Sequence, residues 1–248
     1  DLYFDRHDGQ AVTTEDFIAA MEAANSVELM QFRRWYKQSG TPEISVQESY
    51  DEAAQRYQLT LSQNTPATAE QENKQAFDIP VRMGLMSTSG KDMEVTFDTK
   101  KNTSHTLRLS EHEQQFIFED VKEKPVLSLL RDFTAPVKIK FDRSDEELAF
   151  CIANDSDGFN RWDAGQQLGV RIILNMVADN EQQSVPDYFV SAFQKTLQNH
   201  DLDKALSARA LALPSQAYVS EIMAVVDVDA IHHSQKTMEK ALGVKLFD

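Results

Sequence analysis

The apolar positions change period twice along the chain. Up to about residue 39 they recur at helical spacing, from 42 to 141 they alternate, and from about Ser144 they return to helical spacing. In the first segment Asp8-Gly9 reads as a turn between two helices. Thr13-Thr14-Glu15-Asp16 reads as a capping box, in which the Thr13 hydroxyl accepts from the Asp16 N–H while the Asp16 carboxylate reaches back. Phe17, Ile18, Met21 and Ala24 then form one apolar face, which Val27, Met30 and Phe32 continue toward Trp35 and Tyr36. Two such short helices hold more apolar surface than they can bury on each other, so they are expected to dock on something else.

Gly40 and Pro42 stop this pattern, and Glu43-Ile44-Ser45-Val46 starts a strand. Alternation recurs in Tyr57–Ser62, in Val81, Met83 and Leu85, in Phe116 and Phe118, and in Val137, Ile139 and Phe141. About seven such runs, separated by turn residues, predict an antiparallel β-sandwich. Glu70–Gln75 is polar without a period and reads as a mobile loop. Beyond Ser144, five helical stretches are expected. They are carried by Leu168, Ile172 and Met176; by Tyr188, Phe189 and Phe193 with Pro186 in the first turn; by Leu202, Leu206 and Leu211, ended by Pro214; by Val219, Ile222 and Val226; and by Ile231 through Leu242. Short helices with short links predict a solenoid-like array. The expected fold class is therefore mixed α+β in three parts: helices over 1–39, the sandwich over 40–143, and a helical array over 144–248.

Composition narrows the function classes. The longest apolar runs, such as Met223–Val226, fall far short of the ~20 residues of a membrane span. A net charge of -15 repels phosphate backbones and argues against nucleic acid as partner. The single Cys151 excludes an internal disulfide and fits a reducing compartment such as the cytoplasm.

Candidate chemistry is sparse. His112-Glu113-Gln114-Gln115-Phe116 is the nearest match to H-E-x-x-H, in which two imidazoles one helical turn apart bind zinc. Phe116 occupies the second ligand position, and the segment reads as turn and strand. His232 and His233 are adjacent and cannot share a helix face. His7 beside Asp8 suits a local bond that shapes the turn; His105 and His200 have no partner pattern. Asp155-Ser156-Asp157-Gly158 fails as a calcium loop, because with Gly158 at loop position six, Ala153 and Ala164 fall where acidic ligands belong. The segment reads better as a turn before a helix holding Trp162. Trp162 is expected where helices meet sandwich, with Arg161 and Asp163 on the rim. Cys151 has no histidine nearby in sequence, there is no G-x-S-x-G elbow, and the glycines are not clustered. No residue is assigned a catalytic, cofactor-binding or metal-ligating role.

The strings Tyr3-Phe4-Asp5-Arg6-His7-Asp8-Gly9, Phe32–Pro42, Thr65-Pro66-Ala67-Thr68, Ala135-Pro136-Val137-Lys138 and Phe159-Asn160-Arg161-Trp162-Asp163-Ala164 occur in one order. In that combination the chain resembles the bacterial aminopeptidase N family of zinc metallopeptidases, as an internal piece lying after the zinc site. The resemblance implies a parent enzyme that removes N-terminal residues from short peptides, with zinc held outside this chain. It also implies that residues 1–39 end the catalytic domain, that the sandwich is a spacer, and that the helices begin a cap over the cleft. The partners would then be the missing catalytic domain and further C-terminal helices. Composition alone favours a competing class, a non-enzymatic interaction module built from a sandwich and a helical array.

Overall fold

The computed structural model describes residues 1–178 and 184–246. Three helices come first: α1 (Leu2–His7), α2 (Thr14–Asn25) and α3 (Arg34–Lys37). At the start of α2 the Asp16 carboxylate accepts from both the Thr13 backbone N–H and its hydroxyl, each at 2.8 Å. The capping box is present, and its Thr13 hydroxyl also donates to the Asp16 carboxylate. The helical run expected through Val27, Met30 and Phe32 is broken instead, because Ser26 turns left-handed at φ 52° and ends α2. Only Ile18 and Ala20 of α2 are buried, and Phe17 stays 44% exposed. The segment around α3 has a partner in the chain. The Trp35 ring lies 4.4 Å from that of Phe77 and its Nε1 donates to the Asp78 carbonyl at 3.1 Å, while Gln31 donates to the Ser110 carbonyl at 2.6 Å.

The strands are β1 (Glu43–Asp51), β2 (Arg56–Asn64), β3 (Ile79–Met86), β4 (Val95–Phe97), β5 (Lys100–Asn102), β6 (His105–Leu109), β7 (Glu113–Phe118), β8 (Val126–Leu129) and β9 (Lys138–Lys140). One sheet runs in the order β7-β2-β1-β9 and faces a second of order β6-β3-β8, with β4-β5 as a separate hairpin. Alternation explains the packing: Leu59, Leu61, Val81, Met83, Leu107 and Phe118 point inward and are buried, so each strand gives one face to a shared core. One pairing is parallel, since β9 enters the sheet alongside the start of β1, in register Glu43 with Lys138. The segment Glu70–Gln75 has little regular structure, yet it is pinned: Lys74 Nζ donates to the Ser39 carbonyl, Thr68 Oγ1 and Gln71 Oε1 at 2.8–2.9 Å.

The remaining helices are α4 (Asp145–Asn154), α5 (Gly158–Ala178), α6 (Asp187–Gln198), α7 (Lys204–Ala210), α8 (Gln216–Ile222) and α9 (Val228–Leu246). They enclose a second core of Leu148, Ile152, Leu168, Ile173, Phe189, Phe193, Val219 and Met238. Caps set their starts: Ser144 and Glu147 form a capping box for α4, and Asp203 accepts from the Ala205 and Leu206 N–H groups at 2.9 Å. Pro186 is the cap residue of α6 rather than part of its first turn. Leu202 precedes α7, Val226 lies beyond α8, and the end of α9 includes the buried Leu242. Among the described residues no helix is long and apolar enough to cross a membrane.

Candidate functional site

Two features gather polar groups, and both begin at α5. The first is a joint between sandwich and helices. Leu130, Asp132 and Phe133 take left-handed φ values of 61°, 58° and 49°. Such conformations cost about 1–3 kcal/mol each and persist where their surroundings hold them. The turn places the buried Arg131 under β3, where Gly84 leaves room; a Cβ there would lie 2.3 Å from Arg131 Nη1. Arg131 donates from Nη2 to Asp92 Oδ1 at 2.6 Å, from Nη1 to Asp92 Oδ2 at 3.3 Å, and from Nε to Ser128 Oγ at 2.7 Å. Ser128 also accepts from Asn160 Nδ2 at 3.0 Å and donates to Asp155 Oδ1 at 3.0 Å. The Asp157 N–H reaches the same Asp155 oxygen at 2.9 Å. Asp155 Oδ2 is buried with no partner among the described residues. Burial pushes the Asp155 carboxyl up, against the opposing pull of the Asp157 N–H and of Arg131. The arrangement fastens two cores together, and the Ser128 hydroxyl that donates to Asp155 is fully buried, out of reach of a substrate.

The second feature is a groove of about 340 Å³ between α5, α7 and α8, lined by Trp162, Asp163, Gln166, Arg209, Ser215 and Tyr218 among others. Close packing forms it: a Cβ on Gly169 would lie 2.8 Å from Pro214 Cδ, so the glycine lets the α7–α8 link lie against α5. Gln166 Nε2 then donates to the Ala212 carbonyl at 2.8 Å. Trp162 sits here, half-buried, with Phe159 at 5.6 Å and the Arg209 guanidinium 5.6 Å from its ring centre. It is therefore not the residue at the meeting of sandwich and helices; Phe159 reaches that side, 4.9 Å from Phe133. Arg161 is not on a rim either. It is buried and donates to the Ile152 and Asp155 carbonyls at 2.9 and 2.5 Å, closing the end of α4.

The remaining sequence candidates are scattered. His112 is exposed just before β7, whereas Phe116 points into the sandwich core, so the strand separates the two positions as anticipated. His7 closes α1 with its ring 5.5 Å from Tyr3, and the turn is shaped by its carbonyl, which accepts from the Gln10 N–H at 3.0 Å. His105 is buried between Phe97 and Phe118 with Nε2 3.1 Å from the Val95 carbonyl. His232 meets Gln216 at 2.8 Å on the exposed side of α9, where His233 also lies, and His200 is exposed after α6. Cys151 is buried, and burial pushes its thiol up to about 11, which leaves it unreactive. Among the described residues no group of three His, Cys, Asp or Glu side chains could hold a metal ion. The donor set of the described residues thus does not fit a zinc site. Sequence reasoning missed Arg131, Asp92 and Ser128, which lie 39 residues apart at their extremes and carry no motif; it also missed Arg209.

Residues 40–142 match the family model described as a domain of unknown function (DUF3458) with an Ig-like fold. Residues 145–248 match its companion, described as a domain of unknown function (DUF3458_C) with ARM repeats. Over its whole length the chain is 39% identical to aminopeptidase N of Escherichia coli (strain K12). It is 34% identical to the aminopeptidases N of Haemophilus influenzae and of Caulobacter vibrioides. It spans 29%, 29% and 28% of the lengths of these curated relatives. A solved structure, aminopeptidase A of Legionella pneumophila in complex with aspartic acid, superposes with a TM-score of 0.80 at 26% identity, covering 98% of this chain and 27% of that one. A sandwich with an Ig-like fold, a following array of ARM-type helices, and identity across every part of the chain make it homologous to a stretch of bacterial aminopeptidase N that spans somewhat under a third of the relatives' length.

Proposed function

We propose that this chain is part of a zinc-dependent aminopeptidase that releases N-terminal amino acids from short peptides in the cytoplasm, and that it supplies support rather than the reacting groups. In this reading residues 1–39 are the last helices of the catalytic domain, 40–143 the spacer, and 144–248 the start of the helical cap over the cleft. The single observation that carries it is identity of 34–39% over the entire chain with three aminopeptidases N. The joint at Arg131 is consistent with a supporting role, because it locks the sandwich to α4 and α5. Zinc would be held by residues outside this chain and would polarise the scissile carbonyl there; no step is assigned to residues 1–248.

The test compares the complete open reading frame with the 248-residue chain, using aminoacyl p-nitroanilides and metal content after dialysis. The complete protein is expected to hold one zinc and to show chelator-sensitive hydrolysis, and the 248-residue chain neither. Stoichiometric zinc on the 248-residue chain, or a complete protein without hydrolysis, would overturn the reading.

A further inference from the structure

Most concave sites in the described residues have their polar groups already engaged. Beside Pro66 and His112, Lys74 and Gln63 are used up holding loops; below Tyr50, the Tyr57 hydroxyl is bonded to Glu48. The groove beside Trp162 differs. Arg209 reaches over the Trp162 ring, and among the described residues no carboxylate pairs with it. Asp163, one residue from Trp162 on α5, accepts only from Gln167 Nε2, at 2.7 Å on Oδ2, so its Oδ1 has no protein donor among the described residues. Burial pushes this carboxyl up, against the opposing pull of the Gln167 amide and of the Arg143 charge. Trp162 and the 46%-exposed Tyr218 add two aromatic faces. A volume of about 340 Å³ suits a small ligand.

Charge narrows the ligand. A simple anion on Arg209 would meet Asp163 and a chain of net charge -15. A simple cation on Asp163 would meet Arg209. A zwitterion satisfies both groups at once, and an aromatic side chain would use the two rings. We propose that this groove binds a free α-amino acid with an aromatic side chain, its carboxylate on Arg209, its ammonium on Asp163, and its ring against Trp162 and Tyr218. The proposal does not depend on the reaction proposed above.

The test is equilibrium dialysis of L-phenylalanine with the 248-residue chain, with Trp162 fluorescence in a Trp35→Phe variant as the local reporter. One saturable site per chain is expected. Arg209→Gln and Asp163→Asn should each weaken it at least tenfold, and 3-phenylpropionate and phenethylamine, each lacking one charge, should bind at least tenfold more weakly. Absence of saturable binding, unchanged binding by Arg209→Gln, or equally tight binding of either single-charge analogue would overturn the proposal. Arg209 is exposed, so its variant decides the matter even where Asp163→Asn fails to fold.

Discussion

Asp155 is fully buried, and one of its two carboxylate oxygens has no partner among the described residues. Burial raises its folded pKa above the ordinary value of 3.8, so the folded state holds the proton more tightly than the unfolded one. Stability from this group is therefore complete below about 3.8 and is lost as pH rises through the folded value. Asp155→Asn keeps an acceptor for Ser128 and the Asp157 N–H but cannot ionise. Relative to the unaltered chain, the variant should gain stability as pH is raised from 4 to 8, measured by urea unfolding at several pH values. A gain on lowering the pH would mean instead that Arg131, 4.0 Å away, holds the carboxylate ionised. Arg131 itself is buried and charge-paired, and losing one partner of such a pair costs about 3–5 kcal/mol. Arg131→Met should approach that figure in the same unfolding measurement, whereas a loss below about 1 kcal/mol would make the joint incidental. None of this was legible beforehand: Asp155 was read only as part of a turn, because a sequence does not show which carboxylates end up away from water.

At the scale of elements, reading was most successful where a face is repeated. Val81, Met83 and Leu85 alternate along β3, and Leu168, Ile172 and Met176 share one side of α5, since a strand or helix that buries one face must repeat apolar residues at its own period. Ends were read less well. The run past Asn25 kept its apolar spacing but not its helix, because Ser26 adopts a left-handed cap that spacing does not reveal. Contact between elements was read least. Gly169 meets Pro214 so closely that an added methyl would stand 2.8 Å from Cδ and 2.9 Å from Cγ, both in a rigid ring. Gly169→Ala should therefore push the α7–α8 link off α5. Overpacking of this kind costs about 1–3 kcal/mol, and here it should also open the groove and alter Trp162 emission. If the thermal midpoint rises instead, the gain in helix propensity from removing a glycine has outweighed the clash.

For the whole molecule, apolar exposure and charge oppose each other. Phe4, Met30, Val225 and Val244 are each at least 60% exposed, while the chain carries a net charge of -15. Repulsion between exposed charges is screened beyond about 8 Å at physiological ionic strength, whereas attraction between apolar patches is not weakened by salt. The 248-residue chain should therefore self-associate increasingly as salt rises, as seen by light scattering across a salt series; a monodisperse monomer at high salt would show that these side chains form no effective patch. Phe247, which the sequence pattern added to the same end, lies outside the described residues. The sequence by itself determined the mixed fold, the order of helices, sandwich and helical array, and the resemblance to aminopeptidase N, because periodicity and motif order are properties of neighbours along the chain. Only the tertiary structure decided that Arg131, Asp92, Ser128 and Asp155 form one joint and that Arg209 stands over Trp162. Those groups lie on different elements, and their pairing depends on which polar atoms lose water when the two cores close, a quantity that no local pattern records.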